Sequence, residues 1–183
     1  KFKASPVYIV NSKTARAIQR NPVLKKKSLR YLLIVTFSQT GFTKRYAQWT
    51  AEETKAECLE LSKKKKKDLS ACEVIIFGGW ARGGSISKIN WFKSNMDKWK
   101  DKKLIVFCVG AGPIDNPEIE PALKQNFSDT ELEKVNLFYC PGGINYEKMP
   151  VSSKLMMKMF LNMLTAKKNK TDTELEMIKM LST

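Results

Sequence analysis

The segment of this 183-residue chain best equipped for chemistry is Ser38-Gln-Thr-Gly-Phe-Thr43. Three hydroxyls, those of Ser38, Thr40 and Thr43, flank Gly41 between a short apolar run and a stretch of helical composition. At a helix N-terminus, hydroxyl and backbone N–H donors converge on one anion. A glycine lets the backbone come close, and the helix dipole favours negative charge. The spacing therefore predicts a site for a terminal phosphate monoester. The same residue types also make ordinary helix caps, so the segment alone leaves both readings open. Other phosphate motifs fail. No G-x-x-x-x-G-K-[ST] occurs, and Gly78-Gly-Trp-Ala-Arg-Gly-Gly84 lacks the G-x-G-x-x-G spacing.

The chain contains no histidine. That excludes Ser-His-Asp and Cys-His catalysis and removes the commonest metal ligand and neutral-pH base. Cys58, Cys72, Cys108 and Cys140 are widely spaced with no Cys-x-x-Cys pair, which suits reduced thiols in a cytoplasmic protein and points to no metal site. Chemistry must then come from a bound cofactor or from carboxylates, lysines and hydroxyls.

The elements that would position these residues follow from texture. Tyr31–Thr36, Val74–Phe77, Leu104–Val109 and Val135–Tyr139 are short runs, apolar at nearly every position, as in strands buried on both faces of a parallel sheet. Glu57–Leu61 alternates and reads as an edge strand. Helices are expected over Thr43–Thr54, Lys88–Lys98, Pro117–Gln125 and Ser152–Thr165. Glycine or proline follows the strands at Gly78-Gly79, Gly110, Gly112-Pro113 and Pro141-Gly-Gly143. Strand and helix alternating this way predict βαβ units, with ligands beyond the carboxyl ends of the strands. The helix around Lys154–Thr165 is apolar except for one stripe, Lys154, Lys158, Asn162 and Thr165. It is expected to be a core helix, with a partner or peripheral membrane contact as the alternative.

Charge narrows the remaining classes. The net +15 resembles a nucleic-acid signature, but residues 1–30 carry nine Lys or Arg and no acid, leaving the rest at +6. The run Lys63–Lys67 supplies five of those six charges. The basic patches lack interleaved aromatics, which disfavours a nucleic-acid-binding module. No stretch approaches the ~20 apolar residues that span a bilayer.

A resemblance runs through these features. Ile34-Val-Thr-Phe-Ser-Gln-Thr-Gly-Phe-Thr-Lys-Arg-Tyr-Ala47 resembles the flavodoxin N-terminal signature: a hydrophobic strand, S/T-x-T-G-x-T, then alanine four residues on. Thr36 stands where an aromatic is usual. Asp68–Gly79, Trp99–Gly110, Gly142–Lys148 and Lys154–Met159 are similar to one branch, the flavodoxin-domain proteins related to menaquinone-dependent protoporphyrinogen oxidase. The similarity covers roughly Tyr31 to Thr165 and is most specific in the first loop.

The resemblance implies a three-layer α/β sandwich with a five-stranded parallel sheet in the order 2-1-3-4-5. It also implies flavin mononucleotide (FMN) as cofactor. Ser38, Gln39, Thr40, Gly41, Phe42 and Thr43 would cradle its phosphate. Gly79, Trp80, Ala81, Arg82 and Gly83 would form the second flavin loop, with Trp80 stacked on the ring. Gly110, Ala111 and Gly112 would form the third, while Pro141–Gly143 and Tyr146 lie on the same rim. The flavin would carry the chemistry, leaving no catalytic protein residue. The implied activity is electron transfer or FMN-dependent oxidoreduction with a redox protein or a quinone-type molecule. A domain at 31–165 would then sit between a basic extension, 1–30, and a C-terminal tail, 166–183, with helical character. A degenerate flavodoxin-like domain without cofactor is the competing expectation.

Overall fold

Strands whose side chains are apolar on both faces need helices above and below them, and the chain supplies these in sequence order. A computed structural model describes residues 8–9, 32–61, 69 and 72–182. In chain order the elements are β1 (Tyr8–Ile9), β2 (Leu32–Thr36), α1 (Phe42–Thr54), β3 (Glu57–Glu60), β4 (Val74–Arg82) and β5 (Ser85–Ile86). There follow α2 (Ile89–Lys93), a 3₁₀ turn (Met96–Trp99), β6 (Lys103–Gly110), α3 (Ile119–Lys124), α4 (Asp129–Leu132), β7 (Val135–Pro141), α5 (Val151–Ala166) and α6 (Asp172–Ser182). Apart from Tyr8 and Ile9, the basic arm lies outside the described residues, as does Lys63–Lys67.

The sheet order is β1-β7-β6-β4-β2-β3, with β5 paired to β4. Its central five strands, β3-β2-β4-β6-β7, are parallel and reproduce the expected order 2-1-3-4-5. The alternating segment at Glu57 lies on the sheet edge, as its pattern predicts. Two strands are additional. β1 extends the opposite edge, pairing Tyr8 with Phe138 and Ile9 with Tyr139 in parallel. β5 folds back antiparallel on β4, with Ala81 opposite Ile86 and Arg82 opposite Ser85.

Alternation along the strands divides the core. Leu33, Val35, Ile75, Phe77, Leu104 and Val106 face one layer, containing Phe92 of α2, Trp99 of the 3₁₀ turn and Leu123 of α3. Ile34, Val74, Ile76, Ile105 and Phe107 face the other, where Tyr46 and Ala47 of α1 pack. The expected helix at 88–98 is broken into α2 and the 3₁₀ turn, and Ser94 and Asn95 in the break both bond the Trp91 carbonyl. Such local side-chain bonds offer the backbone an alternative to continuing the helix.

The chain divides into two compact units, Lys1–Ile144 and Asn145–Thr183. The second consists of α5 and α6, linked by the Lys167–Glu174 ion pair at 2.7 Å. Within this unit α6 leaves Val151, Leu155, Met159 and Met163 of α5 uncovered.

Among the described glycines, Gly78 makes the closest approach to a neighbouring side chain. A Cβ there would fall on Cζ of Phe107, which is fully buried. Gly78→Ala is therefore expected to destabilise the fold by about 1–3 kcal/mol through overpacking. Urea unfolding should show a lower midpoint at unchanged slope.

Candidate functional site

The carboxyl ends of four adjacent parallel strands bring the three glycine-containing segments together. Thr36 of β2 lies beside Gly78 of β4, Trp80 of β4 beside Val109 of β6, and Gly110 of β6 beside Pro141 of β7. Main-chain bonds continue these pairings past the strand ends. Phe37 N–H donates to the Gly78 carbonyl at 2.9 Å, and Gly142 N–H to the Gly110 carbonyl at 2.7 Å. The sequence-predicted positions thus lie along one end of one sheet.

The first segment turns sharply into α1. Gly41, at φ 99°, occupies the N-cap position in the left-handed region, and a Cβ there would meet nothing within 4 Å. Its N–H donates to Ser38 Oγ at 3.2 Å. Arg45 N–H then bonds the Gly41 carbonyl at 3.0 Å as the helix begins. The N-cap of this 13-residue helix is a glycine and brings no capping side chain of its own. First-turn N–H groups have no intrahelical acceptor, so the helix start offers backbone donors together with the positive end of its dipole. Ser38, Gln39 and Thr40 are half-buried beside them, whereas Thr43 is buried. Phe42 contributes backbone to the turn, while its ring packs on Gly143, where a Cβ would lie 3.1 Å from Cζ.

The second segment is not a loop. β4 runs on through Gly79, Trp80, Ala81 and Arg82, and turns at Gly83 (φ 53°) and Gly84 (φ 79°) into β5. Two consecutive positive φ angles are what a two-residue hairpin needs, and two glycines adopt them without strain. The Trp80 backbone is held from both sides: its N–H donates to Ser87 Oγ and its carbonyl accepts from Ser87 N–H, each at 2.9 Å. Its half-buried side chain carries the buried Nε1, the side-chain polar atom without a partner among the described residues. Such an orphan costs about 1–3 kcal/mol, a deficit that a bound acceptor relieves. Arg82 is exposed just before the turn.

The third segment is clamped by one side chain. Tyr139 donates its hydroxyl to the Gly112 carbonyl at 2.8 Å, and its ring lies where a Cβ on Gly110 would be. Ala111 and Gly112 are half-buried next to this contact. On the neighbouring strand end, Tyr46 of α1 donates to the Pro141 carbonyl at 2.7 Å and ties the β7 terminus to the first helix.

Tyr139 and Ser87 were not among the expected site residues. Tyr139 reads in sequence as one more apolar position of a strand, and Ser87 as a loop hydroxyl. Lys88, at φ 61°, is a further addition. Its Nζ lies 5.4 Å from the centre of the Phe37 ring, one residue before the first segment. Tyr146, expected on the same rim, belongs to the second unit, where Lys154 lies over its ring. Among the described residues, no group of three His, Cys, Asp or Glu side chains is placed to hold a metal ion, and no helix is long and apolar enough to cross a membrane.

Burial holds the Tyr139 phenol well above its ordinary value of 10.0, with the nearby Cys108 thiol adding to the effect. The neutral phenol is thus the form that the fold stabilises. Its contribution is complete below about pH 10 and falls as pH rises above that value. Tyr139→Phe is expected to cost about 0.5–1.5 kcal/mol near neutrality through the lost hydrogen bond. In urea unfolding, the wild-type advantage over the variant should shrink above about pH 10.

A flavodoxin domain profile matches residues 33–173. No curated protein matches the chain. Among solved structures, the chain is similar to a flavoprotein in complex with FMN from Lactobacillus acidophilus NCFM. The two are 16% identical, the match covers 61% of this chain and 92% of that one, and the TM-score is 0.44. It is also similar to the Trp repressor binding protein of Bacillus subtilis, at 17% identity, with 76% and 99% of the two chains covered and a TM-score of 0.45. With the profile spanning β2 through the start of α6, the chain belongs to the flavodoxin domain family.

Proposed function

We propose that this chain binds FMN at the carboxyl ends of β2, β4 and β6 and works in electron transfer or oxidoreduction. The observation that carries the reading is the left-handed glycine N-cap of the 13-residue helix α1, with Ser38 and Thr40 beside it. A phosphate supplies the acceptors that this end lacks. Helix N–H groups and dipole favour an anion there by about 0.3–2 kcal/mol, and each hydrogen bond to the charged group adds about 1.5–3 kcal/mol. Trp80, with its orphaned Nε1, and the clamped Gly110–Gly112 segment supply the faces for the ring.

FMN supplies hydride or single-electron chemistry when bound, and the protein's part is to bind, orient and tune it. Ser38, Gln39, Thr40, Gly41 and the hydroxyl of Thr43 hold the phosphate end, joined by the backbone of Phe42. Gly79, Trp80, Ala81, Arg82 and Gly83 form one wall of the ring site, and Gly110, Ala111 and Gly112 the other. Small residues in both walls let the backbone approach a planar ligand closely. The resemblance to the protoporphyrinogen oxidase branch supports a quinone- or porphyrinogen-linked partner for the electrons.

Replacing Thr40 and Thr43 by alanine is expected to weaken FMN binding by about 3–6 kcal/mol, or roughly two to four orders of magnitude. Riboflavin, lacking the phosphate, should lose little. The flavin absorbance bands of the purified or FMN-titrated chain provide the measurement. Equal losses for the two ligands move the phosphate elsewhere, and the absence of any flavin complex leaves the degenerate-domain reading.

Trp80→Ala should weaken FMN and riboflavin alike and remove most of the tryptophan quenching that accompanies binding. A fluorescence titration that is unchanged in this variant excludes Trp80 from the ring site.

A further inference from the structure

The hairpin carrying Trp80 has one edge paired to nothing in the sheet. Its inner edge runs along β4, but the outer edge of β5 exposes the Gly84 carbonyl and the Ile86 N–H. Both are met by a single side chain from the end of α3. Asn126 Oδ1 accepts from Ile86 N–H at 2.9 Å and from Ser85 Oγ at 3.2 Å. Asn126 Nδ2 donates to the Gly84 carbonyl at 3.1 Å. The same NH₂ group reaches the Ala122 and Leu123 carbonyls of its own helix at 2.9 and 3.1 Å. Gln125 adds a donor to the Gly84 carbonyl at 3.0 Å.

An asparagine amide carries one carbonyl and one NH₂, the same donor and acceptor set as a peptide group. Asn126 therefore stands in for a strand residue on the open edge of β5, while its helix-facing bonds serve the Ala122 carbonyl and add to a Leu123 carbonyl that already accepts from the Asn126 backbone N–H. The Asn126 backbone is itself held, since Lys93 Nζ donates to its carbonyl at 3.0 Å and pairs with Glu131 at 2.9 Å. The chemistry admits few substitutes. Aspartate has the same shape, but its carboxylate would face the Gly84, Ala122 and Leu123 carbonyls without a proton to give.

We infer that Asn126 is a positioning residue for the flavin ring: it latches the β4–β5 hairpin so that Trp80, paired with Val109, stands in one orientation at the strand ends. The inference rests on the FMN reading above. It assigns Asn126 no contact with the cofactor.

The test compares wild type, Asn126→Asp, Asn126→Ala and Gln125→Ala, with FMN and riboflavin as probes and apo-protein melting as the control for folding. Near pH 8, Asn126→Asp should weaken both ligands by the same factor, about tenfold or more, because the ring wall and not the phosphate seat is disturbed. Lowering the pH toward about 5 should return part of the loss in Asn126→Asp, because protonation restores a donor. Asn126→Ala has no such group and should not recover. The visible circular dichroism of the bound flavin should change in both variants. Gln125→Ala, an exposed single-bond lesion, should shift affinity in the same direction by a few-fold without loss of folding.

A fold-wide role alone predicts lower melting temperatures with unchanged flavin dichroism and no pH-dependent return, and that result overturns the inference. Equal binding by wild type and all three variants overturns it as well, while leaving the FMN reading intact. No flavin binding by the wild-type chain overturns the FMN reading and the positioning role together.

Discussion

At the carboxyl ends of the central strands there is no room for a Cβ. Phe107 fills that space at Gly78, Tyr139 at Gly110 and Val109 at Gly142. These contacts bring three backbones closer to their neighbours than any other residue allows, and the site's geometry depends on them. Phe107 against Gly78 sets how deeply β4 sits before it leaves the sheet. Tyr139 against Gly110 lets the same side chain reach the Gly112 carbonyl. Gly142 against Val109 leaves its own N–H beside the Gly110 carbonyl. Packing in a protein interior is dense enough that a methyl group is felt. The absence of three methyl groups is therefore a positional specification for all three segments.

The segments are held by unequal means. The first relies on glycine conformation and a helix end, with a single hydroxyl bond at Ser38. The third is fixed by the Tyr139 phenol, whose hydrogen bond to the half-buried Gly112 carbonyl lies at the core's edge. The hairpin is held on one edge by β4 and on the other by side chains from α3, at a position with no continuous ladder. Net hydrogen-bond contributions are near 1 kcal/mol each, and the phenol of the third segment adds to its bond the packing of its ring against Gly110. The hairpin sits between these cases: several bonds converge on it, but two side chains supply the outer ones.

Much of this was legible in the sequence because the signals were local. Strands buried on both faces announce themselves as unbroken apolar runs, and the alternating stretch at Glu57 announces an edge. Thr40 to Thr43 carries a motif whose spacing has a chemical reason. The hairpin was not legible, since Gly83-Gly84 reads as readily as a flexible loop; a tight turn needs a returning strand, and Ser85-Ile86 is too short to signal one. Tyr139 was hidden by its own hydrophobicity, because nothing in a run of apolar residues says that one hydroxyl will find a carbonyl twenty-seven positions earlier. Asn126 left no trace, since an asparagine at a helix end is common and its partners are forty residues away. β1 was hidden by brevity, at two residues within a basic arm.

Net charge is a poor guide to the electrostatics of this site. Most of the +15 lies in the arm and the lysine run, whereas interactions between exposed charges fade over a Debye length of about 8 Å at physiological salt. What reaches the strand ends is local. Residues 37–45 include Lys44 and Arg45, and 79–88 include Arg82 and Lys88, with no acid in either stretch. The third segment leads instead into Asp115 and Glu118. The segments leaving β2 and β4 thus carry basic side chains, and the one leaving β6 acidic ones. An anion placed at the start of α1 would meet the basic side, in the same place where the helix dipole favours it. The basic side chains and the helix end agree in sign there. That agreement separates this helix end from α3, which begins with Glu120 in its first turn.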